Sequence, residues 1–201
     1  MSRLRLVLSR GFTLIEVLIS VFVFAVGLVT LGSLATMTLN GTAASRYRGM
    51  ATTFASEKLE DLNRWPTWDP HVCVASGSTA GSLTSDVQAA SVTCNGITST
   101  VDYYDDVAIS DSTGAVCETV SSLSSGSQVY TSTCHTPAGA TTISTSGTSN
   151  AIDVGAVSFH RRWTIEMDQP ITSVKRVTVL VTLVNGYMNP PVSVQESAVR
   201  P

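Results

Sequence analysis

The sequence predicts an α+β protein in which one long N-terminal helix, about residues 12–65, packs its second half on a C-terminal antiparallel β-sheet. Three observations predict this fold. Residues 12–39 form an apolar run long enough to cross a bilayer as a helix. Residues 40–66 place apolar side chains on one helical face. Residues 157–201 alternate apolar and polar side chains as half-buried strands do.

The apolar run from Phe12 to Leu39 contains one charged residue, Glu16. Three basic residues precede the run: Arg3, Arg5 and Arg10. Positive residues stay on the cytoplasmic side, so the residues after the run are expected to be exported. A secretory signal peptide has a shorter apolar core and is cut after it, unlike this run. A plain single-span anchor is the other alternative, but a carboxylate in such a segment is costly in lipid and usually functional.

Residues 10–18 read Arg-Gly-Phe-Thr-Leu-Ile-Glu-Val-Leu, and they resemble the class III signal of type IV pilins and of the pseudopilins of type II secretion. The resemblance implies a prepilin leader peptide, residues 1–11, which a membrane prepilin peptidase removes by cutting after Gly11. It implies that the same enzyme methylates the amine of Phe12. It also implies that Glu16 pairs with the N-terminal amine of a neighbouring subunit, which makes residues 12–39 a transmembrane and assembly segment.

Later features resemble the pilus-modification (PilV-type) minor pilins most. The helix ends on Ala-Ser-Glu-Lys-Leu-Glu-Asp-Leu at residues 55–62, an Arg161-x-Trp163 strand precedes a valine-rich strand, and the last cysteine is Cys134, so a C-terminal cysteine pair is lacking. The resemblance implies a structural subunit of the type IV pilus that acts in assembly, initiation or the tip complex, with adhesion or motility as further roles. A minor pseudopilin is the alternative, followed by a main pilin, which carries proline where this chain has Ser33, and a competence pilin.

Charge and resemblance together define the expected partners and location. The chain has 201 residues and a formal net charge of −3. Cleavage of the leader would remove three arginines and change the net charge to −6. This acidic balance offers no basic surface to nucleic acid. The resemblance implies partners in other pilin and minor pilin subunits through helix one, in the prepilin peptidase and in the inner membrane. It implies a single pass with a periplasmic C-terminal domain, and later a place in the pilus at the cell surface.

Four cysteines lie in the part that is expected to be exported: Cys73, Cys94, Cys117 and Cys134. An even number of cysteines in an oxidising compartment predicts two disulfides. Three pairings are possible, and the sequence does not select one. Free thiols and a metal site are the alternatives, but paired ligands at short spacing, as in C-x-x-C, are not present.

The amphipathic half of helix one, residues 40–66, carries its apolar side chains within about half of a helical wheel. The residues on this face are Tyr47, Met50, Ala51, Phe54, Ala55, Leu59, Leu62 and Trp65. The opposite half carries Glu57, Glu60, Asp61 and Arg64. Pro66 ends the helix, because proline pushes the preceding residue out of the α region. This half therefore needs a sheet to cover it.

Residues 67–201 are predicted to form the exported β-rich domain. Weak patterns predict short strands at Val92–Cys94, Ile97–Tyr104 and Gln128–Thr133, with an Asn95-Gly96 hairpin turn. The rest of residues 74–156 is rich in Ser, Thr and Gly and is expected to be irregular. Stronger patterns predict strands at 157–168, 177–183 and 192–199, with turns at Asp168-Gln169-Pro170 and Asn185-Gly186. Arg161 interrupts the apolar side of the first of these three strands.

The sequence does not predict an enzyme or a cofactor. His71, His135 and His160 are scattered, and G-x-S-x-G, H-E-x-x-H and P-loop motifs are missing. An acidic cluster is expected to be a solvated loop, with calcium binding as the alternative; its members are Asp102, Asp105, Asp106 and Asp111. The neighbouring Tyr103-Tyr104 is expected to place one ring inward and one outward on a strand. Three tryptophans are expected to be buried: Trp65, Trp68 and Trp163.

Overall fold

The computed structural model describes residues 13–109, 114–124, 127–136, 141–147, 157–184 and 191–201. Within these residues the chain forms one α-helix, α1 (Leu14–Arg64), and ten strands. The strands are β1 (Thr79–Gly81), β2 (Ala90–Cys94), β3 (Ile97–Val101), β4 (Tyr104–Ile109), β5 (Val116–Ser124), β6 (Ser127–His135), β7 (Thr141–Gly147), β8 (Val157–Met167), β9 (Lys175–Leu183) and β10 (Ser193–Arg200). By contacts the chain divides into two compact units, Met1–Ala43 and Ala44–Pro201.

The described part of the first unit is the N-terminal portion of α1. Thr13 begins the helix, since its carbonyl oxygen accepts the amides of Glu16 and Val17 at 3.0 and 3.2 Å. Apolar side chains point outward on all sides of this portion, and almost every residue from Thr13 to Gly41 is exposed. Helix α1 ends at Arg64, two residues before Pro66, which agrees with the predicted end.

The second unit contains an antiparallel sheet in which eight of the described strands take part. Seven strands follow the order β10-β9-β8-β4-β5-β6-β7. Strand β1 pairs with the second half of β8, Gly81 opposite Thr164, while β4 pairs with the first half, Asp105 opposite Arg161. A separate hairpin joins β2 and β3 through Asn95 and Gly96, both at positive φ, as the sequence predicts.

The core lies between the last turns of α1 and the sheet. The helix buries five apolar side chains, all from the predicted face: Ala51, Phe54, Ala55, Leu59 and Leu62. They pack on a layer from β8 and β9 that contains Phe159, Trp163, Ile165, Val177, Val179 and Val181. The rings of Phe54 and Phe159 meet edge to face at 5.4 Å. The predicted α+β fold, one long helix packed on an antiparallel sheet, is confirmed.

The three strong C-terminal strands are confirmed, whereas the middle of the chain is more regular than predicted. The single strand predicted at Ile97–Tyr104 is wrong, because the chain breaks after Val101 and begins β4 at Tyr104. The break sends β3 into its own hairpin and β4 into the main sheet. Strands β1, β5 and β7 lie in the stretch that was expected to be irregular. The predicted turn at Asn185-Gly186 lies outside the described residues.

The aromatic residues also depart from expectation. Trp163 is buried as predicted, but Trp65 and Trp68 are 38% and 53% exposed, so their predicted burial is wrong. The helix ends before Trp65, whose ring stacks on His71 instead of facing the sheet. Tyr103 and Tyr104 are both buried. Tyr103 lies ahead of β4 and packs near Trp163, while Tyr104 lies beside His160.

Candidate functional site

The candidate site is the exposed apolar portion of α1 with its one carboxylate, and residues 13–39 are called the apolar segment below. Large apolar side chains along it are at least half exposed at most positions, for example Phe22 and Phe24 at 67% each. Among the described helices, α1 alone is long and apolar enough to cross a membrane. Uncovered apolar surface on this scale requires lipid or other apolar helices around it.

Every polar side chain that follows Glu16 in the apolar segment donates a hydrogen bond within the helix. Hydroxyl groups donate to carbonyl oxygens three or four residues earlier in the chain. The donors are Ser20, Thr30, Ser33, Thr36 and Thr38. Such bonds remove the cost of placing a hydroxyl in lipid. The segment is therefore suited to an apolar environment except at one position.

Glu16 is that position. It lies in the first turn of α1 and is exposed. Its backbone takes part in helical bonding, but within the described ranges its carboxylate has no hydrogen-bond or ion-pair partner. A carboxylate near the positive N-terminal end of a helix is favoured by the helix dipole, but in lipid it still lacks a counter-charge. The neighbouring predicted site residues, Gly11 and Phe12, lie outside the described residues.

In the second unit a network of charged groups is buried where α1 meets the sheet. Arg161 is 1% exposed, and its Nε and Nη2 donate to the two oxygens of Asp105 at 2.6 and 2.8 Å. The same Nη2 also donates to Glu118 of β5 at 2.8 Å. From the helix, Lys58 Nζ donates to Asp105 at 3.0 Å and lies 4.1 Å from the centre of the Trp163 ring.

The network explains why Arg161 interrupts the apolar side of β8. Asp105 and Arg161 are directly opposite each other on β4 and β8, so a bidentate pair forms across the strands. Burial opposes ionisation of Asp105, but Lys58 and Arg161 outweigh it and lower the pKa of that carboxyl. Burial likewise opposes the charge on Arg161, but Asp105 and Glu118 raise its pKa. Asp105 and Arg161 therefore both stay charged at neutral pH.

This network corrects the prediction of a solvated acidic loop. Asp105 and Asp106 are adjacent on strand β4, so their side chains point to opposite faces. Asp105 is 3% exposed and Asp106 bonds to His160, while Asp102 accepts the amide of Ala89 at 2.6 Å. Asp111 lies outside the described residues. The described carboxylates, histidines and cysteines do not gather three together in a group that could hold a metal ion.

Two basic residues that the sequence analysis did not single out hold the end of α1 and the segment that follows it. Arg200 of β10 donates to the carbonyl oxygens of Leu62 and Trp65 at 2.9 and 2.8 Å. These carbonyls lack partners inside the helix, and a cation is favoured there by the helix dipole. Lys175, which is buried, donates to the carbonyl oxygens of Thr67 and Val72 at 2.8 and 3.0 Å. Its pKa is lowered, first by burial and then by Arg200.

Two disulfides join the four cysteines. Cys73, in the segment after α1, bonds to Cys94 at the end of β2. Cys117 and Cys134 are directly opposite each other on β5 and β6 and form the second bond. This is one of the three pairings that the sequence left open. The first bond ties the end of the helix region to the β2–β3 hairpin, and the second crosses two neighbouring strands of the sheet.

We expect protein recovered from the cell envelope to contain no free thiol. Alkylation under denaturing conditions without a reductant, followed by mass analysis of peptides, should find Cys73 linked to Cys94 and Cys117 linked to Cys134. Replacing Cys117 and Cys134 together by serine should lower the free energy of unfolding by about 2–5 kcal/mol, because the unfolded chain gains freedom. Alkylation of two or more cysteines in the native protein would contradict this pairing.

Comparison with known protein families matches one of them, described as the prokaryotic N-terminal methylation motif, at residues 8–32. Neither the curated proteins nor the solved structures give a match. The matched residues include Gly11, Phe12 and Glu16, and they end within the apolar segment. The match supports a type IV pilin-like class III signal, processing by a prepilin peptidase and membrane anchoring. Proteins of this pilin-like class are structural subunits that assemble with one another.

Proposed function

We propose that the chain is a minor pilin, a structural subunit of the type IV pilus that acts in pilus assembly, initiation or the tip complex. The observation that carries the proposal is the methylation motif at residues 8–32 running directly into an apolar helix whose side chains are uncovered. A helix that is apolar on every side and bears one carboxylate fits a role in which it first lies in lipid and then packs among like helices. The PilV-type branch is favoured by the Arg161-x-Trp163 strand and by the sequence of residues 55–62, near the end of the helix.

In this proposal residues 1–11 are the leader, and cleavage after Gly11 creates a new positive amine on Phe12. That amine lies four residues before Glu16, about 6 Å along the helix axis. Pairing between subunits, unlike pairing within one helix, couples the neutralisation of two poorly solvated charges to the docking of one subunit beside another. It also fixes the axial register of the two helices. The residues from 40 onward would then lie in the periplasm before assembly and on the pilus afterwards.

Glu16→Ala and Glu16→Gln are expected to insert into the membrane and be cleaved like the unchanged chain, yet fail to co-purify with the other pilus subunits. A charge at the centre of a membrane helix costs about 2.5–3.5 kcal/mol, and Glu16, in the first turn, carries part of that cost, so its removal does not hinder insertion. Fractionation of the envelope, followed by pull-down and a count of surface pili, measures both properties. The matched control is Glu57→Gln, an exposed carboxylate on the same helix. Normal co-purification and piliation with both Glu16 variants would show that Glu16 is not an assembly contact and that the helix acts as a plain membrane anchor.

Gly11→Val is expected to block removal of the leader, because a branched side chain crowds a position that the pilin signal fills with glycine. Mass analysis of the N-terminus should find N-methyl-Phe12 in the unchanged chain and an intact leader in the variant. Gly41→Val serves as the control, since a side chain there meets nothing within 4 Å and lies far from the junction. Equal cleavage of Gly11→Val and the control would overturn the proposed cleavage site.

A minor pseudopilin of type II secretion shares the signal and the helix, and a deletion separates it from the pilus role. In the proposed function, deleting the gene reduces surface pili and leaves protein secretion intact. Loss of secreted proteins with normal pili would assign the chain to type II secretion instead. Both readouts are taken from the same strain, with the unchanged gene restored on a plasmid as the control.

A further inference from the structure

His160 lies between two carboxylates on the face of the sheet opposite the buried Arg161 network. Its Nδ1 is 2.5 Å from Asp106 Oδ1, and its Nε2 is 2.8 Å from Asp86 Oδ1. The His160 side chain is only 15% exposed, and the Tyr104 ring lies beside it with 5.5 Å between ring centres. Asp106 is directly opposite His160 across β4 and β8. One of its carboxylate partners therefore belongs to the sheet itself.

The other partner belongs to the connection between β1 and β2, residues 82–89, which is called the 82–89 segment. Asp86 from this segment bonds both to His160 and to Arg162, the latter at 2.6 Å from Arg162 Nε. Two backbone ties also hold the segment: the amide of Tyr103 donates to Val87 at 2.9 Å, and the amide of Ala89 donates to Asp102 at 2.6 Å. Asp86 therefore links the segment to two residues of β8.

The geometry requires a particular protonation state. An ionised carboxylate only accepts hydrogen bonds, and a neutral imidazole carries one N–H. Both ring nitrogens of His160 face carboxylate oxygens, so both bonds exist together only when the ring is doubly protonated. Loss of one proton sets a nitrogen lone pair against a carboxylate. The Asp106 bond is the shorter of the two, and Asp106 is 21% exposed against 44% for Asp86. The remaining proton therefore stays on Nδ1, and the hydrogen bond between His160 Nε2 and Asp86 is lost.

We propose that His160 is a pH-dependent clasp: in its charged form it holds the 82–89 segment on the sheet through Asp86, together with Arg162, and on deprotonation it gives up its own bond to Asp86. The clasp does not depend on the function proposed above. The contact between the 82–89 segment and His160 then depends on pH, while Asp105 and Arg161 on the opposite face of the sheet stay charged.

The charged and titratable groups that face the ring are Asp106 and Tyr104 from β4, Arg162 from β8, and Asp86 from the segment. The bond to Asp106 raises the pKa of His160 most, burial lowers it, and Asp86 raises it further, with a net rise above 6.5. Because the pKa of His160 is higher in the folded state than in the unfolded state, the clasp contributes its full stability to the fold below pH 6.5. This contribution is lost as the pH rises through the pKa of His160 in the folded protein. His160 therefore releases Asp86 at pH values above its own raised pKa.

The experiment measures hydrogen exchange of the full chain in detergent micelles between about pH 5.5 and pH 8.5, the range in which a histidine near its usual pKa changes charge. The reporting amides are those of Tyr103 and Ala89, which tie the 82–89 segment to its neighbours. Exchange is corrected for the intrinsic effect of pH, and the amides of β9 serve as the internal reference. NMR of the labelled histidine rings gives the pKa of His160 in the same sample.

Protection of both amides, relative to β9, is expected to fall several-fold as His160 titrates, with a midpoint above 6.5. Asp86→Asn, at an exposed position, should flatten this dependence and lower the pKa of His160. His71→Gln is the control, because His71 pairs with Asp69 elsewhere and should leave the dependence intact. The clasp is overturned if protection in the unchanged chain is the same on both sides of the His160 titration, or if Asp86→Asn keeps the full dependence.

Discussion

An Asp105→Ala variant is expected to lose about 3–5 kcal/mol of the free energy of unfolding, because it leaves the charge of Arg161 buried without its main partner. Arg161 is 1% exposed and makes two of its three side-chain bonds to Asp105. Lys58 loses its carboxylate as well. Urea unfolding of the full chain in micelles, followed through tryptophan fluorescence, measures the loss.

The matched control is Asp106→Ala on the same strand; its side chain is 21% exposed on the opposite face, and losing its bond to His160 should cost about 1.5–3 kcal/mol. A further variant combines Asp105→Leu with Arg161→Met. Replacing a buried pair by apolar residues of similar size is often neutral, so this double variant should recover most of the lost stability. Equal losses for Asp105→Ala and Asp106→Ala would show that the buried network does not hold the helix and the sheet together.

Gly81→Ala is expected to destabilise the domain by about 3 kcal/mol or more, combining backbone strain with overpacking. Gly81 ends β1 at a φ of +76°, where side chains are strained. An added Cβ would also collide with the carbonyl oxygen of Trp163 and lie 2.9 Å from the Tyr103 ring. The backbone of β8 cannot move aside without breaking its pairing with β1, so the collision is not relieved by a side-chain rotation.

Gly77→Ala separates the two causes. Gly77 has a φ of +70°, close to that of Gly81, but a Cβ there meets nothing within 4 Å. Only the backbone strain then applies, which costs about 1–2 kcal/mol. The difference between the two variants, measured by thermal or urea unfolding, is the cost of the collision. If the two variants lose the same stability, β1 is not held against β8 as closely as the structure shows.

The helix and the last three strands follow from local patterns, because both depend on which residues are apolar and how they are spaced. Pro66 and the face around Phe54 are visible in the sequence without knowledge of the fold. Strands β5 and β7 could not be predicted in this way. They are rich in Ser and Thr, and their backbone hydrogen bonds, which need no apolar alternation, define them: β5 lies between β4 and β6, and β7 pairs with β6.

The candidate site divides in the same manner. The predicted roles of Gly11, Phe12 and Glu16 come from one continuous peptide, which is how a peptidase would read them, so sequence suffices to propose them. The network around Arg161 draws on residues 56 and 43 positions away. An arginine on the apolar side of β8 was the one available signal. A buried guanidinium requires carboxylates, but the sequence does not say which of 15 acidic residues supply them.

The hydrogen bonds of Arg200 bear on the order in which contacts form while the protein is synthesised and folds. Its bonds to the end of α1 join residues 138 and 135 positions apart. Contacts so distant form late, because closing a long loop costs entropy before the contact can offset it. Because the chain is synthesised from its N-terminus, the end of α1 lacks these two hydrogen bonds until β10 has been made. A nascent chain interrupted before β10 is therefore expected to be a much better protease substrate than the finished one.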